Sequence, residues 1–128
     1  MESDTRTNAA SSGWFYKRRG AYFWKSTLAR RSFDELLDAV DQAIGSIRCI
    51  GDLLLYDTAL RIGANLGIMP DRVYLHSGTR RGARALGLAW KRRSISIAEL
   101  PVALRGLKPH EIEDCLCIFK DRFRDARP

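Results

Sequence analysis

The chain has two histidines, His76 and His110, and only the first stands among residues that could share a reaction with it. His76 precedes Ser77 and lies just ahead of Arg80 and Arg81. An imidazole beside guanidinium groups is suited to moving a proton on a phosphorus centre. Asp57 is the second candidate, a carboxylate in an otherwise apolar helical stretch with Arg61 four positions on. Such a carboxylate can serve as a general base, but at that spacing an internal ion pair is the expected arrangement. His76, Asp57 and Arg61 are therefore the catalytic candidates, for phosphodiester chemistry if they converge. Glu111, Glu113 and Asp114 open a helical pattern, where carboxylates offset the positive end of the helix dipole without any divalent ion. Cys49, Cys115 and Cys117 lack paired C-x-x-C spacing and are expected to be buried and reduced. Cys115 and Cys117, two apart on a helix, point to different sides. No nucleotide-triphosphate, dinucleotide, hydrolase-elbow or zincin pattern occurs, so no cofactor and no metal is expected.

A second chemistry is phosphate contact. Residues 74–86, YLHSGTRRGARAL, place a glycine turn ahead of a short helical pattern carrying Arg80, Arg81 and Arg84. The unpaired amides of Ser77, Gly78 and Thr79 and these three cations would meet an anion together. In outline the stretch resembles the helix-hairpin-helix DNA-binding segment, with Gly78 and Gly82 spaced more widely than the hairpin glycines of that family. The resemblance implies amides presented to a phosphate. Lys91, Arg92 and Arg93 extend the basic block, and Lys17, Arg18 and Arg19 sit between two aromatic triplets in GWFYKRRGAYFWKS. Residues 17–31 and 74–94 hold six cations each and no acid, which leaves the rest of a +7 chain acidic. That segregation suits a polyanionic partner. The function expected is a small basic nucleic-acid-binding module. The alternatives are a compact nuclease or effector toxin using His76, and an adaptor docking an acidic protein partner.

These residues need elements to hold them. At 128 residues the chain is one domain, large enough to fold without disulfides. No apolar run is long enough to span a bilayer and the N-terminal stretch is polar, so no membrane association and a cytoplasmic location are expected. Residues 1–12 read as a disordered tail and 13–31 as an aromatic-basic arm packing on the core. Residues 32–124 read as a helical globular domain. Ser32 caps a helix whose apolar stripe runs Phe33, Leu36, Leu37, Val40, Ala43, Ile44 and Ile47. A second helix from Asp52 to about Leu66 carries apolar residues on more than one face, which marks it as the most buried, and Gly67 ends it. Residues 72–76 and 94–97 are short strands or turns, and Thr79 to Leu86 is a short helix. Pro109 opens a last helix running to Arg124. The fold class expected is mainly α, a single compact helical domain with one or two short strands.

Overall fold

A computed structural model describes residues 32–125. The tail, the aromatic-basic arm and with it Lys17, Arg18 and Arg19 lie outside the described residues. Within them the fold is mainly α, with helices α1 (Phe33–Ile44), α2 (Asp52–Leu66), α3 (Ser77–Ala85), α4 (Pro109–Ile118) and α5 (Arg122–Asp125). Strands β1 (Val73–Tyr74) and β2 (Ser94–Ile95) pair antiparallel, Val73 opposite Ile95 and Tyr74 opposite Ser94. Two 3-10 turns, Ile97–Glu99 and Val102–Leu104, connect β2 to α4.

Local chemistry starts the helices where the sequence indicates. The Ser32 hydroxyl accepts from Glu35 N at 3.2 Å, with Asp34 and Glu35 in the first turn of α1. Pro109 begins α4, and the Glu111 carboxylate accepts from Lys108 N at 2.7 Å. Gly67, at φ 71°, ends α2 in the left-handed conformation that glycine adopts freely, and Ile68 N donates to Gly63 O at 2.8 Å.

The strand pair divides two cores. Successive strand side chains point to opposite faces. Tyr74 accordingly joins Phe33, Leu36, Val40, Tyr56 and Ala59 between α1 and α2, whereas Val73 and Leu75 join Ala83, Ile95, Leu100, Ile112 and Leu116 between α3 and α4. Glycine makes both helix pairs close. A Cβ on Gly63 would fall 3.2 Å from a Leu36 methyl and 2.2 Å from Ile68 O, and one on Gly82 would fall 2.1 Å from Leu116 O. Along α3, Thr79, Gly82 and Ala83 form a buried small-residue face, so this helix lies almost backbone to backbone on α4.

Three expectations change. The cysteines are free but not buried, with Cys49 exposed and Cys115 and Cys117 half-buried. α2 is not the most buried helix: its buried residues are Tyr56, Ala59 and Gly63, a single stripe, while Leu53 and Leu54 are 48% and 45% exposed and Leu60 is half-buried. Among the described residues α2 packs mainly on α1, and apolar content on several faces buries only the face that meets a neighbour. The last helix also breaks after Ile118. Phe119 N closes the final α-turn onto Cys115 O, Lys120 Nζ donates to Cys117 O, and the chain turns so that Phe123 packs against the second core from α5.

Candidate functional site

His76 occupies the joint between β1 and α3, where strand alternation and helix capping both act on it. As N-cap of α3 it keeps extended backbone, its N–H donates to Thr79 Oγ1 at 3.2 Å, and its carbonyl accepts the first helical bond from Arg80 N at 2.8 Å. The ring is buried, with 3% of the residue exposed, and its Nε2 meets Oε1 of Glu113, a carboxylate also buried on α4. Among the described residues Nδ1 has no hydrogen-bond partner. With the Nε2 proton directed at a carboxylate, a neutral ring carries its lone pair on Nδ1. The pair is enclosed, so removing either member alone strands a buried polar group.

Beside this pair runs a cleft of about 270 Å³ whose lining includes Tyr56, Tyr74, His76, Arg80 and Arg93. The Tyr56 hydroxyl is buried and also has no partner among the described residues. Burial, and after it the carboxylates of Glu113, Asp114 and Asp57, hold its proton well above the usual phenol range. Tyr74 is raised likewise by burial and by its bond to Asp34, to which its hydroxyl donates at 3.0 Å.

Two of the basic residues, Arg80 and Arg93, tie the loop before β2 to the helices. Arg80 Nη1 donates to the carbonyls of Trp90, Lys91 and Arg92 at 3.1, 3.3 and 3.2 Å, and so ties the loop before β2 to α3. Arg93 bonds Asp38 at 2.8 Å with Asp34 at 3.8 Å, fastening that loop to α1. Burial lowers its proton affinity, and the bond and charge of Asp38 with the charge of Asp34 more than reverse that. Arg81, Arg84, Lys91 and Arg92 are exposed, as is Arg93 despite its bonds to α1. Arg81 pairs with Asp121 at 2.9 Å with both side chains largely exposed, and Arg92 pairs with Glu99 at the surface. The Arg84 guanidinium and the Lys91 ammonium lie 5.2 and 5.4 Å from the centre of the Trp90 ring.

Of the catalytic candidates, the structure does not join Asp57 and Arg61 into an ion pair with each other. Asp57 is half-buried beside Tyr56, and Arg61 is exposed. His76 has Glu113 rather than Asp57 as its carboxylate. Ser77, Gly78 and Thr79 form the first turn of α3, with Thr79 buried. Glu113, Tyr56 and Trp90 are missed by sequence reasoning. Glu113 carries a signal, since it stands three positions before Leu116 on the apolar side of α4, and Trp90 carries another, since it abuts the run of Lys91, Arg92 and Arg93. Among the described residues no group of His, Cys, Asp and Glu side chains is placed to hold a metal ion, and no helix is long and apolar enough to cross a membrane. Compared with known proteins, the chain matches no family model, no curated protein and no solved structure.

Proposed function

We propose that the protein binds nucleic acid through the exposed cations Arg81, Arg84, Lys91 and Arg92, with Trp90 between them. The observation that carries this reading is the Trp90 ring held within 5.2 and 5.4 Å of two cations on a segment that contains no acid. A ring flanked by cations offers a stacking face to a base and neutralises the phosphates on either side of it. The ion pairs of Arg81 and Arg92 do not oppose this. Both are at the surface, where such pairs contribute little and exchange readily for a phosphate.

The test is fluorescence anisotropy of labelled single-stranded and duplex oligonucleotides across a salt series. Four phosphate contacts give a slope of about −3 to −4 in log affinity against log salt. Replacing Arg81, Arg84 and Lys91 by Ala flattens that slope by about 2 to 3 and weakens different sequences almost equally. Trp90→Ala weakens binding by about 1 to 3 kcal/mol with the slope kept. Absence of binding at low salt, or a slope indifferent to the triple substitution, overturns the reading.

A further inference from the structure

We propose that Cys117, His76 and Glu113 form a thiol site for acyl transfer, with the Cys117 thiol as nucleophile, His76 as its general base and Glu113 as the positioning residue that fixes the ring. The inference does not depend on nucleic-acid binding.

Three observations converge on it. Glu113 and Cys117 are four apart on α4, one turn apart on the same helix face. His76 meets Glu113 through Nε2, and the Cε1–Nδ1 edge of its ring faces Gly78. A Cβ on Gly78 would lie 3.4 Å from His76 Cε1, 3.7 Å from Nδ1 and 2.7 Å from Cys117 Sγ. The thiol and the unpartnered nitrogen thus share the space that glycine leaves empty. The remaining observation is electrostatic. The first helical bond of α3 is donated by Arg80, so the amides of Ser77 and Gly78, the residue whose built Cβ meets the sulfur, have no acceptor within the helix. Nucleophile, base and orienting carboxylate are the parts of an activated-thiol site, and free amides at a helix start are donors for the oxyanion of an acyl intermediate. Cys117 is half-buried, so the residue is not sealed in the core.

The substrate class is an ester or thioester. As Sγ attacks the carbonyl carbon an S–C bond forms, the thiol proton passes to Nδ1, and the negative charge gathers on the carbonyl oxygen at the Ser77 and Gly78 amides. The carbon–leaving-group bond then breaks, and the alcohol or thiol leaves with the proton from Nδ1. Water from solvent attacks the acyl-cysteine and gives a proton to Nδ1. The S–C bond breaks, Sγ takes that proton back, and the carboxylic acid departs.

The chain carries its own control. Cys49 is a free and more exposed thiol, outside this cluster. The full-length protein is treated with p-nitrophenyl acetate, and the acetylated cysteine is identified by peptide mass mapping against time. Cys117 is expected to acetylate at least about tenfold faster than Cys49 despite its lower exposure, because general-base assistance outweighs access. His76→Gln should reduce the Cys117 rate by at least about tenfold while leaving Cys49 unchanged. Glu113→Gln should act in the same direction, with Glu113→Asp recovering part of the loss, a rescue that a purely structural role would not restrict to one cysteine. Faster labelling of Cys49 than of Cys117 in the unmodified protein overturns the proposal and needs no variant that folds. So does a Cys117 rate indifferent to His76→Gln.

Discussion

Gly82 shows how much a missing side chain decides here. Its α-carbon sits against the backbone of α4, and the atom nearest to an added Cβ, at 2.1 Å, is the carbonyl oxygen of Leu116. A backbone carbonyl cannot rotate away as a side-chain tip can, so Gly82→Ala must push α3 off α4. The expected cost is about 1 to 3 kcal/mol by urea denaturation, the range for overpacked cores, in spite of the helix propensity that alanine adds. An unchanged or higher stability would mean that the two helices do not approach in this way. The sequence shows Gly78 and Gly82 four apart but not why, because one spacing serves both a turn and a helix-packing face. Glu113 is similar. Beside Glu111 and Asp114 it reads as one of three carboxylates offsetting a helix dipole, and only the approach of β1 and α3 separates it from them by burying it against His76.

At the scale of elements, starts are legible and faces are not. Ser32 and Pro109 each mark a helix beginning correctly, since capping and the fixed φ of proline act within a few residues, whereas Asp52 is the first residue of α2 rather than its cap, and the N-cap Gly51 makes no side-chain bond. Which face is buried depends on neighbours distant in sequence. α1 buries Phe33, Leu36, Leu37 and Val40 as its periodicity indicates, yet Ala43, in its last turn, and Ile47, past its end at Ile44, are exposed. α2 buries the residues that reach α1 and leaves Leu53 and Leu54 outside. The consequence is measurable by comparing two leucines. Leu36→Ala, at a site with no exposure, should destabilise the domain by about 2 to 5 kcal/mol, and Leu53→Ala by less than about 1 kcal/mol. Equal costs at the two positions would refute the assignment of the α1 to α2 face.

For the molecule as a whole, the division by β1 gives each core a distinct chemistry, and alkaline pH should act on one of them. The α1 to α2 core holds three rings in mutual contact, with centroids 5.8 Å apart for Phe33 and Tyr56, 5.1 Å for Phe33 and Tyr74, and 6.1 Å for the two tyrosines. Among the described residues, the buried members of the α3 to α4 core include no aromatic side chain. Both phenols have proton affinities raised, first by burial and then by carboxylates around them, from an ordinary value of 10.0. In the unfolded chain they ionise near that value, while in the folded chain they stay protonated. The unfolded state therefore loses protons first as pH rises, and stability is fully present below about pH 10 and declines above it. Each phenol contributes a decline of about 1.4 kcal/mol per pH unit while only its unfolded form is ionised. Urea denaturation between about pH 9 and pH 11.5 should show this fall, and of the four tyrosines two, Tyr56 and Tyr74, should add their phenolate absorbance at 295 nm only as the chain unfolds. Tyr56→Phe should remove one share of the slope without removing a hydrogen bond, because its hydroxyl has no partner among the described residues. Tyr74→Phe should remove the other share and, with it, the bond to Asp34 that joins β1 to α1. It should therefore also lower stability at neutral pH, by about 0.5 to 1.5 kcal/mol. A slope unmoved by both substitutions would mean that neither phenol is enclosed as described, and the first core would lose its aromatic centre.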